Sequence, residues 1–226
     1  MTTLSAEASG TPTTRLLPTP SGDARASIYP GAGEVRGWYL AGHGAGGGIE
    51  ARDLVALAAA LPALGITVAL IEQPWRVAGK KLAPAPKKLD ESWVPAVEGL
   101  ADEMGGLPFA ASGRSAGARV ACRTALTTGA AGVVALAFPL HPPGKPKSSR
   151  AEELLGAGVP TLVLQGERDP FGGPAEFPEP AEGTQLVPVP YADHGFSVGK
   201  KAPVTQEDTL ALITGTAGAW LASLFA

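Results

Sequence analysis

Leu107-Pro108-Phe109-Ala110-Ala111-Ser112-Gly113-Arg114-Ser115-Ala116-Gly117-Ala118-Arg119-Val120 joins an apolar run to a helix-forming one through a turn of the form G-x-S-x-G. Residues 107–112 have the length and near-continuous apolarity of a strand buried on both faces, and residues 116–128 read as helix. A strand that passes into a helix through this turn lifts the serine oxygen clear of the sheet. Glycine is needed at both ends, because strand and helix approach too closely for Cβ atoms and the serine backbone is strained. The bland alternative is a glycine-rich turn with a solvated serine, which a chain with 30 glycines can produce by chance. The flanking strand and helix favour the first reading.

The same alternation extends in both directions. Strands are predicted at 38–41, 66–71, 107–112, 133–138, 161–165 and 185–189, with weaker ones at 15–18 and 24–29 forming an opening hairpin around Ser21-Gly22-Asp23. Helices are predicted at 50–64, 92–104, 116–128, 151–156 and 206–224. Ser92 and Thr205 read as N-caps, with Pro95 in a first turn. Gly65, Gly105 and Gly129 suit left-handed helix ends. This order implies an α/β fold, a mainly parallel doubly wound sheet flanked by helices, in one domain over residues 1–226 with 1–12 flexible. No insertion is large enough for a cap domain. Irregular stretches at 73–90, 139–149 and 169–182 each follow a strand, where ligand sites of open α/β sheets collect.

Two further loops carry chemistry. Gly42-His43-Gly44-Ala45-Gly46-Gly47-Gly48 follows a strand and has the H-G-x-G form of an oxyanion loop, so the N–H groups of Ala45 and Ala116 are the candidate donors. A phosphate loop is the rival, but no G-x-x-x-x-G-K-[ST] is present and no clean dinucleotide fingerprint appears. His43 reads as a structural brace. After strand 161–165 comes Gly166-Glu167-Arg168-Asp169, where Asp169 is the candidate orienter of a base and Glu167 its alternative. After 185–189 comes Asp193-His194-Gly195, and His194 is the candidate base, one of only three histidines. The order Ser115, Asp169, His194 is that of the α/β-hydrolases.

Taken with Glu72-Gln73-Pro74-Trp75-Arg76 and Phe138-Pro139-Leu140-His141-Pro142-Pro143-Gly144, these segments resemble the α/β-hydrolase superfamily along nearly the whole chain, in particular small bacterial members related to dienelactone hydrolases. Some eukaryotic relatives of this branch are subunits of a chromatin-modifying complex. The resemblance implies a serine hydrolase of the carboxylesterase or thioesterase type. Dienelactone hydrolases use a cysteine nucleophile where this elbow carries serine, so their substrate is not transferred. Cys122 falls within the helix after the elbow and reads as a small buried apolar residue.

A net charge of −3, from 18 basic and 21 acidic residues, argues against nucleic acid or an anionic membrane as partner. One cysteine excludes an intrachain disulfide and a thiolate-rich metal site, and no cofactor or metal is expected. The amino terminus lacks an apolar leader, and no transmembrane run appears, so a cytoplasmic location is expected. Residues 76–88 hold five basic side chains among prolines. The plain reading is a solvated loop; the sharper one has Arg76, with His141 nearby, contacting an anionic group on a small acyl substrate. The competing function is a catalytically silent binding or scaffolding protein on the same fold.

Overall fold

The computed structural model describes residues 11–226. The expected flexibility of 1–12 therefore falls almost wholly outside the described residues. The strands are β1 (Thr13–Leu17), β2 (Ala24–Tyr29), β3 (Gly37–Gly42), β4 (Ile66–Glu72), β5 (Phe109–Arg114), β6 (Gly132–Leu136), β7 (Thr161–Gly166) and β8 (Thr184–Val189). They form one sheet in the order β1-β2-β4-β3-β5-β6-β7-β8. The β1–β2 and β2–β4 pairs are antiparallel, and every other pair is parallel.

Helices cover both faces, as parallel strands require. They are α1 (Arg52–Ala60), α2 (Pro74–Val77), α3 (Pro86–Glu98), α4 (Ala101–Met104), α5 (Ala116–Thr128), α6 (Ala151–Leu155) and α7 (Gln206–Leu224). Alternate strand residues feed two cores. Tyr39, Val68, Leu70, Val134 and Leu162 pack with Leu54 and Leu57 of α1 and Ile213 and Leu221 of α7. Leu40, Ala69, Ile71, Val133 and Val163 pack on the other face with Trp93 and Val97 of α3 and Val120 and Ala121 of α5. Cys122 lies in this second core, where burial pushes its thiol up to about 12. Among the described residues no helix is long and apolar enough to cross a membrane.

Several expectations need correction. Ser92 is no cap: α3 begins at Pro86, whose missing N–H costs nothing in a first turn, and the Ser92 hydroxyl donates to the Lys88 carbonyl inside the helix. Pro95 sits deep in α3 rather than in its first turn, and the helical run breaks before α4. The stretch 73–90 is consequently irregular only in part, at 78–85, since it holds α2 and the start of α3. The helix expected over 50–64 changes to a 3₁₀ turn at Leu61–Leu64, where Pro62 cannot continue α-helical bonding. β5 begins two residues late, after Pro108, and β6 ends early because the backbone turns at Ala137, φ 46°. Thr205 does cap α7: its hydroxyl accepts the Asp208 N–H at 3.0 Å while Asp208 accepts the Thr205 N–H at 2.9 Å. Gly65, Gly105 and Gly129 are all left-handed.

Candidate active site

β5 runs into α5 through Ser115, whose φ of 55° and ψ of −111° are a strained conformation for a residue with a side chain. The strain persists because the surroundings leave no alternative. A Cβ on Gly113 would fall 2.4 Å from the Gly117 carbonyl carbon, and one on Gly117 would fall 2.6 Å from the Gly42 oxygen. The Ser115 N–H donates to the Leu136 carbonyl at 2.9 Å, which fixes the turn against the next strand.

Loops from the carboxyl ends of β7 and β8 bring Asp169 and His194 to the same place. His194 Nε2 lies 2.9 Å from Ser115 Oγ, and its Nδ1 lies 2.7 Å from Asp169 Oδ2. A carboxylate can only accept, so Nδ1 carries the hydrogen and Nε2 presents its lone pair to the serine hydroxyl. Asp169 is buried and fully engaged: Oδ2 also accepts from Gln165 Nε2 at 2.9 Å, and Oδ1 accepts the Phe171 N–H at 2.8 Å. The Phe171 ring lies 4.2 Å from the imidazole, centroid to centroid. Glu167 instead accepts the Tyr191 N–H at 2.8 Å, which ties the histidine loop down without touching the imidazole.

Arg114, the second residue of the elbow motif, donates from Nη2 to the His194 carbonyl at 2.7 Å. Its Nε lies 3.3 Å from Asp53, a carboxylate with no exposed surface. Burial raises the Asp53 pKa while the Arg114 charge opposes that rise. One guanidinium thus links α1, the elbow and the histidine loop.

The loop after β3 passes beside the elbow, with Gly44 so close to Ser115 that a Cβ there would meet the serine Cβ at 3.4 Å. His43 braces it: Nε2 accepts the Gln73 N–H at 3.1 Å, so Nδ1 carries the hydrogen and donates to the Gly44 carbonyl at 2.9 Å. Burial lowers the His43 pKa and keeps that neutral form. Among the described residues neither the Ala45 nor the Ala116 N–H is engaged in a hydrogen bond, and both residues line the cleft over Ser115. This cleft, about 400 Å³, is also lined by Gly46, Pro139, Phe171 and His194 and by Arg114, Arg119 and Arg150.

Arg76 and His141 are not among its lining residues. Arg76 Nη2 donates to Glu50 at 2.9 Å, and Glu50 accepts the Gly48 N–H at 3.1 Å, so this arginine supports the glycine-rich loop from outside. His141 spans two loops, with Nδ1 2.9 Å from the Pro142 carbonyl and Nε2 3.0 Å from Glu176. Both neighbours can only accept, and the pKa of His141 is raised, first by the Pro142 carbonyl and, against burial, by Glu176. Sequence reading missed Arg114, Arg119, Arg150, Gln165 and Phe171. Only Arg114 carried a local signal, its place in the elbow.

Solved structures share this fold. A serine hydrolase without lid from Xanthomonas campestris superposes with a TM-score of 0.74 at 18% identity, over 92% of this chain and 94% of that one. An α/β serine hydrolase homologue from Coxiella burnetii gives 0.74 at 17%, over 92% and 97%. A dienelactone hydrolase from Anabaena variabilis gives 0.69 at 19%, over 94% and 98%. A search of curated proteins finds no match. The model of the α/β hydrolase domain matches residues 36–222, most of the sheet and both helical layers, and the chain belongs to that family.

Proposed function

We propose that the protein is a serine hydrolase that cleaves small carboxylic esters or thioesters through an acyl-enzyme. The observation that carries this reading is the continuous chain from Asp169 to His194 at 2.7 Å and from His194 to Ser115 at 2.9 Å, ending on a serine held in a strained turn. Ser115 Oγ attacks the acyl carbon as His194 Nε2 takes its proton, and Asp169 stabilises the imidazolium without itself becoming protonated. Negative charge gathers on the former carbonyl oxygen, which accepts hydrogen bonds from the free N–H groups of Ala45 and Ala116, donors positioned before the reaction. Collapse of this intermediate breaks the bond to the leaving group, which takes the proton from His194. Water then repeats the sequence on the acyl-serine, and an acid is released.

Proteins of similar structure, among them serine hydrolases and esterases, agree with this chemistry. The test is labelling with a fluorophosphonate probe together with hydrolysis of short 4-nitrophenyl esters by the wild type and Ser115→Ala. Labelling and turnover that both vanish in the variant support the proposal. A folded wild type that neither labels nor turns over would favour a binding or scaffolding role.

A further inference from the structure

Three guanidinium groups, and no carboxylate, line the cleft beside Ser115. Like charges around one concave surface repel unless each has a counter-charge, so their partners decide what the cleft demands of a ligand. Arg114 is answered by buried Asp53 and occupied by the His194 carbonyl. Arg119 faces Glu153 through two bonds, Nε at 2.7 Å and Nη2 at 2.6 Å. Glu153 is shared, however, because Arg123 also donates to it at 2.9 Å while holding Asp90 at 2.8 and 2.6 Å. Arg150 donates from Nη1 to the Pro139 carbonyl at 3.0 Å, and among the described residues it forms no ion pair.

Around Arg119, Arg123 and Arg150 there are thus three cations and two carboxylates, Glu153 and Asp90, and the unanswered charge sits on Arg150 at the cleft wall. Burial, and then the charge of Arg119, lower the Arg150 pKa, and the charge of Glu153, already bonded to Arg119 and Arg123, does not offset them. Both arginines are already oriented, Arg119 by Glu153 and Arg150 by the Pro139 carbonyl and its own N–H on the Leu140 carbonyl at 2.7 Å. Little ordering remains to oppose a ligand.

We infer that this cleft seats a carboxylate carried by the ester substrate itself, with Arg150 as its anchor and Arg119 flanking it. A planar guanidinium with free N–H groups matches a carboxylate as a fork, and a cleft of about 400 Å³ suits a small molecule. The inference rests on the hydrolase reading of Ser115. The carboxylate can belong to the acyl group or to the leaving group, and each has its own assay.

The test uses the full chain near pH 7.5 at low salt with two pairs of esters. Mono-4-nitrophenyl glutarate against 4-nitrophenyl pentanoate places the anion on the acyl side. 4-Acetoxybenzoate against phenyl acetate places it on the leaving group. The expected result is a kcat/KM preference of about tenfold or more for the anionic member of one pair, carried mainly by KM. That preference shrinks in 0.5 M NaCl, is largely lost in Arg150→Gln and is partly kept in Arg150→Lys. Protection of Ser115 from fluorophosphonate by monomethyl glutarate, but not by methyl pentanoate, reads the acyl-side site without turnover.

Hydrolysis of the neutral esters that depends on Ser115 but shows no preference in either pair overturns the inference and leaves the hydrolase reading intact. A preference that survives in Arg150→Gln also overturns it. The wild-type contrast needs no variant, so a misfolded Arg150→Gln does not shelter the inference. A protein that neither labels nor hydrolyses any of the four esters loses both readings.

Discussion

Residues 76–88 hold five cations in a short span, while Arg150 stands far along the chain from Arg114 and Arg119 on the elbow and its helix, yet these three meet at Ser115. In the dense segment Lys88 pairs with Glu91 on one exposed turn, and Arg76 leans onto Glu50. Both pairs face water, where screening leaves them little influence. The dispersed arginines come from the end of β5, the first turn of α5 and the loop before α6, three places that the sheet topology brings to one end of the molecule. Positive charge along a chain and positive charge in space are therefore different quantities. Consecutive like charges repel and stay solvated, whereas side chains gathered by a fold must arrive with acceptors and counter-charges already in place.

The largest effect expected on the cleft side is that of Ser115→Ala, which should lower esterase kcat/KM by about 10⁴-fold or more with little change in melting temperature. Steady-state kinetics beside a thermal melt decide this. A residual rate within tenfold of wild type would mean that the cleft is not where the chemistry occurs. Next is Asp53→Ala, which strips a largely buried Arg114 of its counter-charge and should cost about 3–5 kcal/mol in urea unfolding. A loss below about 1 kcal/mol would place Arg114 with the solvated cations of the other region.

His43 lies between the two regions, bonded to Gln73 on one side and to Gly44 on the other. Its folded-state pKa is lowered from 6.5, so the unfolded chain binds the proton more readily. Its contribution is present above pH 6.5 and is lost as pH falls from there toward the folded value, at up to about 1.4 kcal/mol per pH unit. Comparing wild type with His43→Asn by chemical unfolding between pH 8 and 5 cancels the other titrating groups, and the gap between the two should narrow as pH drops. A constant gap would show that the histidine is not held neutral.

The smallest effect belongs to Arg76→Ala. Removing an ion pair whose side chains are 36% and 65% exposed should change stability by less than about 1 kcal/mol and leave the anionic-to-neutral ester ratio where it was. A fall in that ratio would return substrate recognition to the basic segment.

The strands of the parallel sheet were legible because each is an apolar run between turn residues, and the elbow was legible because its glycines are demanded by contacts as short as 2.4 Å. His194 stood out because so few histidines exist. The start of α3 was misread because Ser92 looks like a cap whereas Pro86, the true beginning, looks like part of a proline-rich loop. Arg119 and Arg150 carried no mark at all, since one arginine in a helix and another in a loop look alike wherever they point.

From the chain alone came the order of elements, the strained serine turn, and the separate loops bearing Asp169 and His194, because these depend on local sterics and on the period of apolar residues. Only the tertiary structure decided which charges share a cleft, which of them find partners, and that Gln165 and Phe171 close around the acid and the imidazole. The reason is one of range. Backbone geometry and apolar periodicity act between near neighbours in the chain, while ion pairing and desolvation depend on distances in space that exist only once the sheet has formed.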